Sequence, residues 1–245
     1  MYRKIISAVY GSFHSELAAR HAVAIASSCG GQLVVLAVDI GEVKREELSS
    51  GVEPLCQQSK TYGVLARGII RKGDVVETII EVINEENADL LVSSTRRSEY
   101  RLFVRRITQK LMLKALCSVL AVKPAGLAKR GKSLLLPMAR RELATSELIM
   151  LTSNIAKSYS YKVEIFHMME HQRWYNLAWN KLYTMRHNSE ENMMPIANAL
   201  KELGVDVDVR AVVAESSLSE KLIDSQVKKK KRFLLNYLLG DLYPP

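Results

Sequence analysis

The sequence has no uncharged apolar run of the roughly eighteen residues that a membrane-spanning helix needs, which excludes a chain that crosses a bilayer in that way. Its three cysteines, Cys29, Cys56 and Cys117, are scattered and odd in number. Neither a disulfide framework nor the paired spacing of a metal site can be read from them, and reduced thiols in a cytoplasmic protein are the expectation. Met1-Tyr2-Arg3-Lys4 runs straight into an apolar segment without a small-residue cleavage site, so no secretory signal is expected. Catalytic constellations are missing too. His14 and His21 flank the start of a helix with Ser12 and Ser15 nearby, but His21 falls on the apolar face and reads as a packed core residue. His14, on the turn after a strand, is left either touching a ligand or touching none. His167 and His171 lie just past a strand end, where their spacing would suit a metal only on a helix. They read as ordinary polar residues.

What is present is a globular balance, 48% apolar and 25% charged over 245 residues, long for one domain and comfortable for two. Lys4–Tyr10 reads as a buried strand and Ser15–Cys29 as a helix stopped by Gly30-Gly31. Gln32–Ile40 is a second, nearly all-apolar strand, as in a parallel sheet covered on both faces. Gly41–Gln58 reads as a polar, turn-rich loop with a helical stretch, and Val64–Ile70 as a third strand. Asp74 and Glu77 make a capping-box signature before a helix whose buried stripe is Val75, Val76, Ile79, Ile80 and Ile83. Ala88–Ser94 is a fourth strand, Thr108–Leu116 a helix and Ser118–Lys123 a fifth strand. The order predicts an α/β, doubly wound sheet.

After a linker at 125–132 the pattern restarts. Ser133–Met138, Lys162–Met168 and Val205–Val213 read as strands, and Thr145–Ser158 as a helix burying Leu148, Leu151 and Ile155. A long helical region between the last two strands is expected to break near Asn188 and Pro195. Its aromatic positions Trp174, Tyr175, Trp179 and Tyr183, with Met168, Met169, Met193 and Met194, read as a packing surface rather than a base-stacking platform. Ser217–Glu220 repeats the capping box and Phe233–Leu239 takes the place of a fourth strand. The expected domains are therefore 1–124 and 133–245, the second with a truncated sheet. Two readings stand for the tail after Lys231. Either a reading-frame slip or truncation replaced the natural end, or the second domain is short by design, with solvated lysines closing a helix.

Strand and turn Ile5–Ser15 resemble the opening of universal stress proteins, usually an aliphatic strand followed by Asp-Gly-Ser. Asn87–Arg97 resembles their fourth strand, and Ala115–Lys123 is similar to their Ala-Pro-Cys-Pro-Val-Leu-Val-Val ending. The resemblance covers the first half by motif and the second by topology. It implies two tandem Rossmann-like domains of the adenine nucleotide α-hydrolase-like kind, the first with a mainly parallel five-stranded sheet. It also implies a non-enzymatic stress-response or regulatory protein.

The family's ATP-binding members carry Gly-x2-Gly-x9-Gly-Ser/Thr after the fourth strand, where glycines let backbone amides approach phosphates. Here Ser94 and Arg97 stand at the first two glycine positions, and Arg105 and Arg106 at the final pair, with shorter spacing. Tyr10 replaces the acidic residue that ends the first strand near the adenine. Gly11 and Ser12 form the turn after it. Val38 and Asp39 end the second strand, where the family packs the adenine; Asp39 either meets the ligand or merely starts the next loop. The resemblance thus implies a site at Tyr10, Gly11, Ser12, Val38, Asp39, Ser94, Arg97, Arg105 and Arg106 for ATP, AMP or another phosphate-containing ligand. Arginine would supply charge-assisted bonds in place of backbone ones. No metal is expected.

The net charge of +9 sits partly in two clusters, Arg96–Lys110 and Lys228–Arg232. They read as solvated or partner-facing surface, or as an anion site. Three function classes follow. The leading one is a regulatory protein that forms a homodimer through Ser118, Val119, Leu120, Ala121 and Val122, with a small anion or a protein as its other partner. The second is an adenine-nucleotide enzyme of the same fold group, for which Tyr10-Gly11-Ser12-Phe13 lacks a Gly-rich loop. The third is a polyanion or nucleic-acid binder, whose binding would weaken steeply with salt.

Overall fold

The computed structural model describes residues 2–42, 45–94, 101–122, 133–138, 145–170 and 179–214, with backbone alone at 101–106, 168–170 and 212–214. These residues fall into two compact units. The first holds strands β1 (Lys4–Val9), β2 (Gln32–Asp39), β3 (Ala66–Lys72), β4 (Leu90–Ser94) and β5 (Ser118–Val122), with helices α1 (Phe13–Cys29), α2 (Arg45–Thr61), α3 (Val75–Glu86) and α4 (Arg101–Lys114) between them. All pairings are parallel, in the order β3-β2-β1-β4-β5. Strand order therefore reverses between β1 and β4, which makes the crevice beyond their carboxyl ends the position where such sheets bind ligands.

The central strands β1, β2 and β4 alternate their side chains between two buried faces. On one face Ile6, Ala8, Val34, Leu36, Val38 and Leu91 pack with Val76, Ile79, Val82 and Ile83 of α3 and Leu111 of α4. The other face meets α1, whose Ala18, Ala19, Ala22 and Ala26 are buried, and α2 packs beside α1. Small residues on α1 let its axis lie close to the sheet. Asp74 caps α3 by accepting from the amides of Val76 (2.9 Å) and Glu77 (3.1 Å). The reciprocal capping box forms at α1 instead, between Ser12 and Ser15.

Three helices differ from the sequence expectation. Arg45–Thr61 is helical throughout, through Gly51 and Pro54, because Leu48, Val52, Leu55 and Ser59 form a buried stripe. Helix α4 begins at Arg101, well before Thr108. In the second unit, α6 (Trp179–Glu202) runs unbroken through Asn188 and Pro195, held by buried Met193, Ile196, Ala197 and Leu200. Tertiary burial outweighs the local cost of a helical proline there.

That second unit has β6 (Ser133–Met138), α5 (Ser146–Tyr159), β7 (Lys162–Glu170), α6 and β8 (Val207–Ala214), with parallel order β6-β7-β8. The β-α-β-α-β succession is that of β1 to β3. Thr145 caps α5, its hydroxyl accepting from Leu148 N at 3.2 Å. Burial alternates along β8, where Val207 and Ala211 are buried while Asp208 and Arg210 are exposed. Lys162 pairs with Asp206 (3.3 Å) and Asp208 (3.0 Å). This sheet is thus apolar on one face and charged on the other at its β8 side. The linker at 125–132, the Ser217–Glu220 cap, the lysine run and the Phe233–Leu239 strand lie outside the described residues.

His21 on α1 illustrates what burial costs. Desolvation holds its imidazole below the ordinary value of 6.5. As pH falls through 6.5, the unfolded chain takes up a proton that the folded chain refuses, so stability drops until the folded value is passed. Replacing His21 by Gln is expected to flatten that slope, read from urea denaturation between about pH 7 and pH 5. An unchanged slope would show that His21 is not the group responsible.

Candidate functional site

The crevice at the carboxyl ends of β1 and β4 is built first by the turn after β1. Gly11 adopts the left-handed region (φ +63°), open space surrounding its missing Cβ. That turn lets Ser12 cap α1 directly after the strand. Ser15 ties the turn together. Its hydroxyl accepts from the amides of Tyr10 (3.1 Å) and Ser12 (3.2 Å) and donates to Ser12 O (2.7 Å). The sequence reading missed this role, although a small hydroxyl three residues after an N-cap serine is the signal for it. With those two amides engaged, the donors left at the head of α1 are the amides of Phe13 and His14. Among the described residues no acceptor serves them, as expected for the first turn of a helix. The half-buried Glu16 is the one acid in that turn.

Ser94 ends β4 on the same side of the sheet. Leu91 belongs to the face covered by α3 and α4, so period-two alternation sends Leu90, Val92 and Ser94 to the face covered by α1. Ser94 is 5% exposed, and its hydroxyl has no hydrogen-bond partner among the described residues. A buried hydroxyl without a partner costs on the order of 1–3 kcal/mol, so its position at the carboxyl end of β4 is informative.

Tyr10 and Ser93 lie on the opposite face. Ala8 is in register with Ser93, and the Tyr10 ring folds back across that step until its hydroxyl stands 3.5 Å from Ser93 Oγ. The ring packs against the cluster containing Val38, which is itself 7% exposed. Asp39 turns away: its carboxylate accepts from Gly41 N at 2.8 Å, and its carbonyl from Gly73 N at 3.1 Å. Of its two sequence readings, the start of the following loop is the one with bonds behind it.

Of the remaining expected site residues, Arg97 lies outside the described residues. Arg105 and Arg106 lie on the helical backbone of α4, in its second turn rather than in a loop. Tyr10, Gly11, Ser12 and Ser94 therefore all lie at the carboxyl ends of β1 and β4, while Asp39 bonds within the following loop. No group of three His, Cys, Asp or Glu able to hold a metal occurs among the described residues. His167 lies within β7 and bonds through Nδ1 to Met138 O at 2.7 Å; His171 is outside the described residues. Trp179 and Tyr183 are exposed on α6, with Tyr183 stacked on His187.

Cys117 precedes β5, and burial pushes its thiol up to about 11. It is expected to react slowly with a thiol reagent at neutral pH in the folded protein and quickly once unfolded. Fast reaction in the folded state would contradict that environment.

The model of the universal stress protein family matches residues 1–123. The chain belongs to the universal stress protein family. No curated protein sequence matches it. Among solved structures, a Pseudomonas aeruginosa UCBPP-PA14 protein assigned to the universal stress proteins is 16% identical, with 94% of this chain and 80% of that one covered and a TM-score of 0.60. A universal stress protein from Archaeoglobus fulgidus DSM 4304 is 14% identical, covering 93% and 82%, with a TM-score of 0.59. At those identities the likeness is one of fold, and it agrees with the parallel five-stranded sheet and smaller second sheet. No helix among the described residues is long and apolar enough to cross a membrane.

Proposed function

We propose that this universal stress protein is a non-enzymatic, cytoplasmic stress-response or regulatory protein that holds a phosphate-bearing anion in the crevice beyond β1 and β4. The observation that carries the reading is Ser94. Its buried hydroxyl lacks a partner among the described residues, on the side of the sheet where the head of α1 offers amide donors and a favourable partial charge. A net charge of +9 supports capture of anions from a distance. The Ser12 and Ser15 hydroxyls are engaged with each other and with the turn, which suits binding rather than nucleophilic chemistry at the head of α1.

The test is a thermal-shift panel of ATP, AMP, cyclic nucleotides and inorganic phosphates at fixed ionic strength. A ligand at 100 times its Kd stabilises the folded state by about 2.7 kcal/mol. Stabilisation by at least one phosphate-bearing compound, reduced by Ser94→Ala, is the expected result. A flat panel would remove the ligand and leave a partner-binding protein.

The partner we propose is a second copy of the chain. Among the described residues β5 is an outer strand of the sheet, and Leu113 and Leu116 at the adjacent end of α4 are 75% and 87% exposed. An outer strand beside exposed leucines suits a two-fold contact in which the same strand meets itself. Light scattering at micromolar concentration is expected to give the dimer mass, and Leu116→Glu the monomer mass. A monomeric wild-type protein would end this reading.

A further inference from the structure

We infer that Tyr10 sets the class of ligand: its ring fills the α3 and α4 side of the β1/β4 crevice, so the site takes a small tetrahedral oxyanion without a nucleobase. This rests on the reading of the crevice as an anion site. A sheet of this topology leaves a ligand two half-spaces beyond the strand ends, one over each face. On the α1 side stand the head of the helix and the orphan Ser94 hydroxyl. On the other side a base would need an apolar shelf and room above it. Val38, the apolar residue at the end of β2, is buried within a cluster against which the Tyr10 ring is packed.

Tyr10 is held at three points. Its backbone amide donates to Ser15 Oγ at 3.1 Å, its hydroxyl stands 3.5 Å from Ser93 Oγ, and its side chain packs against the core cluster. A planar base and this ring compete for the same apolar space, and the ring is covalently present at every moment. A tetrahedral oxyanion has no such competitor. It needs donors, and those lie on the α1 side, together with one like charge to tolerate, the Glu16 carboxylate. The residues therefore do not fit a nucleotide lying with its base over Val38.

Isothermal titration of the wild-type protein with orthophosphate and with AMP tests this, alongside Tyr10→Ala and Tyr10→Phe. Orthophosphate is expected to bind the wild-type at least as tightly as AMP does. Tyr10→Ala is expected to bind AMP at least tenfold more tightly than the wild-type does, which is about 1.4 kcal/mol, with little change for orthophosphate. Tyr10→Phe keeps the ring and is expected to keep the exclusion. Wild-type protein that prefers AMP over orthophosphate tenfold would overturn the inference while leaving the anion site standing, and needs no variant to be seen. AMP binding that appears only in Tyr10→Ala, with no orthophosphate binding anywhere, would uphold the exclusion and end the oxyanion reading. No binding of either compound to any of the three proteins would overturn both.

Discussion

Leu91→Ala is expected to destabilise the first unit by about 2–5 kcal/mol. Leu91 is fully buried in the middle of β4, in register with Ile6 of β1 on one side and Val119 of β5 on the other. Its side chain enters the cluster that joins α3 and α4 to the sheet. Truncation removes apolar surface already withdrawn from water and leaves a void that parallel strands locked by hydrogen bonds on both sides cannot close. The loss is read from the urea midpoint of the far-UV circular dichroism transition, with the slope compared to show that the denatured state is unchanged. A cost below about 1 kcal/mol would mean that the core relaxes around the void, and that the tight packing described for β4 is wrong.

Gly31→Ala is the second large effect, and its neighbour Gly30 is the control. A Cβ on Gly31 would stand 2.8 Å from Tyr2 O and 3.2 Å from Arg3 O, both backbone atoms. Those atoms cannot swing aside, because Gln32 N donates to Arg3 O at 2.7 Å at the start of the β1–β2 ladder. Overpacking of this kind costs about 1–3 kcal/mol. Gly30 ends α1 in the left-handed region (φ +64°) with open space around it, so Gly30→Ala meets backbone strain alone, about 1 kcal/mol. The double glycine therefore has two different jobs. Thermal denaturation of both variants separates them: Gly31→Ala is expected to fall further, and equal losses would contradict the close approach of Tyr2 and Arg3.

The sequence pattern made the sheet legible because β1, β2 and β4 are apolar on both faces and bounded by turn residues. Helices with a cap, α1, α3 and α5, were legible for the same local reason. α2 and α6 were legible only in part, as a helical stretch and a broken helical region: Gly51, Pro54 and Pro195 are local stop signals, and only packing on a neighbouring layer overrules them. At the candidate site, the family resemblance singled out Tyr10 and Ser94. Their sides of the sheet could not be read without the register that places Ala8 opposite Ser93. One residue of slip would exchange the two faces. Arg105 and Arg106, aligned by spacing to a phosphate loop, instead fall inside α4 because that helix starts at Arg101.

The opposed roles of Tyr10 and Ser94 are tested most directly by following backbone amide resonances during titration with orthophosphate at constant ionic strength. Saturable shifts at Phe13 and His14 and at Ser94, with smaller changes in the second unit, are the result this account predicts. Saturable shifts centred in the second unit, or no saturable shift at the head of α1, would contradict it.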